Sequence, residues 1–187
     1  MSLLHLYRGP ALSPAKKHAL LLTIKQNVHP EIEDVETEYC FNIETTAPLS
    51  DGEIKILRWL LTETFEPGNF SEESFLTGNP PAPPLVKGGI IETIIEVGPR
   101  MNFTTAWSTN AVSVCHACGL TKITRIERSR RYKLKLKSRV QGFEDPRGQE
   151  QKNPSLEPWN PGILEPFLTL VHDRMAECRY PETLTTF

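Results

Sequence analysis

Cys115-His116-Ala117-Cys118 has the composition of a redox or metal motif. Dithiol chemistry needs its first cysteine at a helix N-terminus, where the dipole stabilises a thiolate. Here both cysteines fall at the end of a helical pattern, just before Gly119, where the dipole opposes an anion. A structural zinc site needs four ligands, and the sequence holds no second CxxC and no paired histidine to complete one. The tetrapeptide therefore reads as small residues packed in a core. No P-loop, GxGxxG, GxSxG or HExxH is present. His5, His18, His29, His116 and His172 have no acidic or nucleophilic partner at motif spacing. No residue is assigned as catalytic and none as a metal ligand.

Glu96-Val97-Gly98-Pro99-Arg100-Met101-Asn102-Phe103, followed by Trp107-Ser108-Thr109-Asn110, joins a strand end to a helix start. Free N–H groups and hydroxyls at such a junction suit a carboxylate, a phosphate or a partner carbonyl. Arg100 follows Gly-Pro as a permanently charged fork. Arg100, Ser108, Thr109 and Asn110 are therefore candidate domain-docking or anion-contact residues. The plainer reading is a Gly-Pro turn with Ser108 or Thr109 as the helix cap.

Charge supplies the other candidate. Residues 121–139 hold nine bases and one acid, Glu127, whereas residues 1–96 hold 14 acids and 7 bases, within a net charge of −2. This asymmetry suits either a polyanion site or an internal match with the acidic face of residues 36–44. As an RNA-binding sheet the basic run lacks glycine–aromatic interleaving, Tyr132 being its only aromatic.

The elements that must position these residues follow from periodicity. Leu3 to Tyr7 reads as a strand. Ser13-Pro14 starts a helix carrying Leu20, Leu21, Ile24 and Val28, which Pro30 stops. Val35, Thr37, Tyr39, Phe41 and Ile43 alternate with Glu36, Glu38, Cys40, Asn42 and Glu44, predicting a half-buried strand with one acidic face. Ser50-Asp51-Gly52-Glu53 is a capping box before the stripe Ile54, Leu57, Leu60 and Leu61. Residues 66–89 read as a loop. Then Ile91, Thr93, Ile95 and Val97 alternate as a strand ending at Gly98-Pro99, and a helix is expected over about Ser108 to Cys118, capped by Gly119. A second long strand holds Ile126, Tyr132, Leu134 and Leu136. A 138–160 loop precedes a last helix with Leu164, Phe167, Leu168, Val171 and Met175, Pro166 marking its first turn.

Strand–helix–strand–helix thus occurs twice, about 90 residues apart, with Gly9-Pro10 mapping to Gly98-Pro99. The expected class is α+β: two βαβα halves, about 1–66 and 90–180, form one pseudo-twofold domain spanning 1–187, with an antiparallel sheet under packed helices. At 187 residues, 39% of them apolar, the chain can bury a core, and 16 prolines predict long irregular connections. No apolar run reaches the roughly 20 residues that cross a bilayer, and the start lacks the pattern of a signal peptide. Four scattered cysteines do not form a disulfide framework. A cytoplasmic chain with a monomeric core, no membrane partner and no nucleic-acid partner is expected.

EVGPRMNFTTAWSTNAVSVCHACGLTKITRIERSRRYKL, with upstream VETEYCFNIE and the closing VHDRMAECRYPETLTTF, resembles the N-terminal domain of the phosphoribosylformylglycinamidine synthase family in its large single-chain form. The likeness covers nearly the whole chain, is strongest over 93–137, and includes neither Cys115 nor Cys118 in its motif. It implies a fold similar to two copies of the small bridging subunit of the multi-subunit bacterial enzyme. It also implies a parent amidoligase of purine biosynthesis in which a synthetase region uses ATP and magnesium and a glutaminase region releases ammonia. These two regions are the implied partners. By the same likeness this domain is expected to bridge them, to be inactive alone and to bind no cofactor. The alternative from the residues themselves is a small RNA- or anion-binding α+β module using the basic strand 122–139.

Overall fold

The computed structural model describes residues 2–62, 66–76, 85–87, 90–137 and 161–187. The expected 138–160 loop lies outside the described residues. In chain order the elements are β1 (Ser2–Arg8), α1 (Pro14–Asn27), β2 (Ile32–Thr45), α2 (Asp51–Leu61), a single 3-10 turn at Pro67–Asn69, β3 (Phe70–Ser71), β4 (Leu85–Lys87), β5 (Ile90–Pro99), α3 (Ala106–Ala117), β6 (Ile123–Lys137), α4 (Pro161–Val171) and β7 (Glu177–Tyr180). The class is α+β, as expected. Within 66–89, the segment read as a loop, β3 and β4 are short edge strands.

Local chemistry explains the helix ends. Ser13 accepts from Lys16 N–H with Pro14 in the first turn, and Ser50 and Glu53 exchange both bonds of a capping box. At the end of α3, Gly119 takes φ +85°. Leu120 N–H then donates to Cys115 O at 2.9 Å and Gly119 N–H to His116 O at 3.0 Å. This is a Schellman cap, which needs the left-handed conformation that glycine adopts freely. Two expectations shift. The N-cap of α3 is Thr105, whose hydroxyl accepts from Ser108 N–H, rather than Ser108 or Thr109. Helix α4 starts five residues before Pro166 and ends at Val171, leaving Met175 outside it and 86% exposed.

All pairings in the seven-stranded sheet are antiparallel, in the order β3-β1-β2-β6-β5-β4, with β7 also on β5. The long strands β2 and β6 form its centre, with Val35 opposite Leu134, Glu38 opposite Arg131 and Ile43 opposite Ile126. All four helices cover one face. Towards one end α1 and α4 bury Val35, Ile95, Tyr132, Leu134 and Leu136, and Phe167 meets the Tyr132 ring edge-on at 5.5 Å. Towards the other, α2 and α3 bury Leu6, Phe41, Ile43, Ile123 and Ile126. The apolar register read from the alternation therefore holds.

The middle of the acidic face does not look out to water, which corrects the half-buried strand there, while Glu36 and Glu44 at its ends stay half-buried. Glu38, Asn42 and Cys40 are buried, as are Glu127, Ser129 and Arg131 beside them on β6. Two segments lie across this underside. Residues 74–76 dock on Glu38, which accepts from Ser74 Oγ at 2.7 Å, Phe75 N–H at 2.8 Å and Leu76 N–H at 3.3 Å. The C-terminal segment brings Tyr180, whose hydroxyl donates to Pro99 O at 2.6 Å, and Leu184, whose carbonyl meets His5 Nε2 at 3.0 Å. Gly98 is needed for this closure, because a Cβ there would sit 2.5 Å from the Tyr180 hydroxyl.

Candidate functional site

The connection from β5 to α3 is braced from β6. Glu127, fully buried, accepts from Thr105 N–H at 3.0 Å, Thr105 Oγ1 at 2.7 Å and Arg125 Nε at 3.2 Å. Arg125 in turn donates to the carbonyls of Met101 and Phe103 and lies 4.2 Å over the Phe187 ring. The lone acid of the basic run is thus the strut that holds the α3 N-cap. Held in this way, the loop exposes Met101 and Phe103.

The four site candidates separate. Arg100 is exposed, and its guanidinium donates to Arg174 O at 2.7 Å while its N–H donates to Ala176 O at 3.0 Å. Thr109 and Asn110 are exposed on α3. Ser108 is fully buried, and its hydroxyl accepts from Ile126 N–H at 3.3 Å, so it faces the sheet rather than a partner. Sequence reasoning missed Thr105 and Glu127. The signal was present in Glu127 itself, a single carboxylate among nine cations.

The basic strand resolves into an internal match. Lys122 pairs with Glu53, Arg125 with Glu127, Arg130 with Glu177, Arg131 with Glu38, Lys133 with Glu92, Lys135 with Glu36 and Lys137 with Glu33. The deepest pair, Arg131–Glu38, is 2.5 Å long and lies directly across the β2–β6 seam. Glu96 approaches Arg131 Nε at 3.5 Å and accepts from Ser129 Oγ. Burial pushes the Glu96 carboxyl above its ordinary value, against the lowering effects of Ser129 and Arg131.

Arg128 is different. Its guanidinium lies 4.5 Å over the Tyr39 ring and 5.2 Å over the Trp107 ring, and Arg8 lies 5.1 Å over Tyr39. Burial lowers its affinity for the proton, and the neighbouring Arg8 and Arg130 add to that. Pro99, Thr105, Trp107, Glu127 and Arg128 line a recess of about 140 Å³ beside it.

The cysteine motif is structural at its first member. Cys115 is buried, packs with Leu120 under α3 as the apolar contact of the Schellman cap, and has its thiol pushed up to about 11 by burial. Such a thiol is the reverse of an activated nucleophile. Cys118, expected in the core with it, is exposed. Among the described residues no group of three or more His, Cys, Asp or Glu is placed to hold a metal ion, and no helix is long and apolar enough to cross a membrane.

Known proteins match this chain along its length. The family model for the formylglycinamide ribonucleotide amidotransferase N-terminal region covers residues 38–185. A Dictyostelium discoideum phosphoribosylformylglycinamidine synthase is 41% identical over 190 residues, covering 100% of this chain and 12% of the relative. A probable phosphoribosylformylglycinamidine synthase of Arabidopsis thaliana, chloroplastic/mitochondrial by name, is 39% identical over 184 residues, with 98% and 11% covered. The Homo sapiens phosphoribosylformylglycinamidine synthase is 36% identical over 160 residues, with 84% and 10% covered. The chain therefore spans about a tenth of the length of these relatives. On these matches the chain belongs to the formylglycinamide ribonucleotide amidotransferase N-terminal family.

Proposed function

We propose that this chain is the bridging part of a phosphoribosylformylglycinamidine synthase, a glutamine- and ATP-dependent amidoligase of purine biosynthesis. It positions the synthetase and glutaminase regions for ammonia transfer and performs no chemistry itself, ATP and magnesium acting in the synthetase region. The observation that carries this reading is the family match over residues 38–185. Three chemistry-capable side chains support it, being spent on the fold: Glu38 and Glu127 on loop amides, Cys115 on a helix cap. The halves 1–66 and 90–180 are proposed as related units about a pseudo-twofold axis. Supporting this, Gly9 and Gly98 both lie under an aromatic ring of a closing segment, Phe75 and Tyr180. The proposed setting is a monomeric core in the cytoplasm.

The test supplies the purified chain with glutamine, ATP, magnesium and formylglycinamide ribonucleotide. No turnover is expected alone. Added to the Dictyostelium relative lacking its matched segment, the chain should restore glutamine-dependent product formation. Turnover by the chain alone, or no restoration, would overturn the proposal. The competing reading, an RNA- or anion-binding module on strand 122–139, is weakened by the ion pairs along β6. Salt-sensitive RNA retention in a filter-binding titration at physiological salt would revive it.

A further inference from the structure

Eight basic residues lie between positions 122 and 137, and seven of them have a carboxylate within 4.0 Å. Arg128 is the exception among the described residues. Its nearest acid along the chain, Glu127, is committed to Thr105 and Arg125. Its neighbours Arg8 and Arg130 are also cations, Arg130 being paired with Glu177 at 2.6 Å. A half-buried guanidinium among like charges is costly unless an anion joins it. Among the described residues its guanidinium contacts the Tyr39 and Trp107 rings and no carboxylate, which leaves its N–H groups to meet an oxyanion.

The recess limits what that oxyanion is. At about 140 Å³ it is below the roughly 300–1,000 Å³ of small-molecule sites and has the scale of a single carboxylate. Beside it the braced loop exposes Met101 and Phe103, apolar side chains of the kind that surround a charged anchor in a protein interface.

We propose that the Arg128 recess is a docking socket for an Asp or Glu side chain carried on the adjoining region of the same enzyme, with Met101 and Phe103 as its apolar rim. This rests on the bridging reading above and names the contact by which the bridge would hold. About nine tenths of the length of the relatives lies outside the matched segment, so there is ample polypeptide to supply that side chain.

The experiment titrates the 187-residue chain against the Dictyostelium relative lacking its matched segment, by calorimetry at low and high salt, alongside thermal melting of the chain alone. Arg128→Gln keeps a planar, stackable group without charge. It should weaken binding at least tenfold and abolish most of the salt dependence, with the melting temperature little changed. Arg128→Lys should fall between, and Lys55→Gln, on the exposed side of α2, should bind normally. Wild-type binding that Arg128→Gln leaves unchanged overturns the socket but not the bridge. Failure of the wild-type chain to bind overturns both. Micromolar binding of inorganic phosphate to the chain alone, lost in Arg128→Gln, overturns the carboxylate occupant.

Discussion

The two faces of the central β2–β6 pair are both buried, yet they are held by different physics. Above, Val35, Phe41, Ile43, Ile126, Leu134 and Leu136 pack beneath four helices, and their contribution scales with area removed from water. Below, Glu38, Glu96, Arg131, Ser129 and Asn42 form a polar layer closed by residues 74–76 and 180–184. The upper face tolerates exchanges of similar volume. The lower face tolerates little, because deleting one member strands a charge that water cannot reach. Its advantage is specificity: a one-residue slip of β2 against β6 would take Glu38 away from Arg131 and set it opposite Arg130 or Tyr132, whose side chains belong to the helix-covered face.

Breaking the lower layer should produce the largest effect. Arg131→Met leaves Glu38 and Glu96 without their shared cation and should cost about 3–5 kcal/mol in urea unfolding. Hydrogen exchange should also quicken at the Phe75 and Leu76 amides, which Glu38 anchors. A loss below about 1 kcal/mol would place the strength of the seam elsewhere.

A deletion on the upper face sets the reference. Leu134→Ala removes a fully buried side chain under α1 and α4 and should cost about 3 kcal/mol, with no change in pH dependence. The same cost accompanied by loosening of residues 74–76 would mean the two faces are mechanically coupled.

Titration sharpens the comparison through two carboxyls of opposite sign. Glu96 is raised by burial, so its contribution to stability is complete below the ordinary glutamate value of 4.5 and is lost as pH rises through its higher folded value. Glu53 is lowered, chiefly by Lys122 and by Ser50, to about 2. Its contribution is present above 4.5 and is lost as pH falls toward that value. Urea midpoints across pH 2–8 should therefore lose the high-pH decline in Glu96→Gln and the low-pH decline in Glu53→Gln. Unchanged profiles in both variants would refute the assignment.

The smallest effect belongs to the surface. Arg100→Ala should change the stability of the chain by less than about 0.5 kcal/mol, since its contacts are exposed backbone carbonyls and turns. In the reconstituted enzyme it should raise glutamine hydrolysis relative to product formation. A large stability loss with normal coupling would reject Arg100 as a docking residue.

Much of the upper face was legible, because period-two alternation and capping boxes are local signals. Ser13, Ser50 and Gly119 mark helix ends as read, and the apolar strand register stands. The lower face was not legible as buried, since alternation distinguishes two faces without saying what later chain covers the polar one. The covering strand β7 is only four residues long and lies about 80 residues from its partner on β5. At the candidate site, the junction was found but its geometry was not. Thr105 rather than Ser108 caps α3 because Glu127, twenty-two residues away, fixes the Thr105 amide and hydroxyl. Arg128 was hidden among seven other bases between 122 and 137, and only knowing their partners isolates it.

The seam between β2 and β6 also sets an order of events during synthesis. Glu38 and Arg131 are separated by 93 positions, so β2 has no central partner until residues up to 137 have left the ribosome. Until then the emerging first half presents an open strand edge, with Phe41 and Ile43 lacking Ile126 and the α3 side chains that complete their cluster and a carboxylate awaiting its cation. Loop closure over that distance precedes any gain from pairing, which makes folding slow for the chain's length and aggregation-prone while incomplete. A ribosome-stalled chain ending near residue 120 should therefore bind holdase chaperones strongly, and one with residue 187 fully exposed should be released.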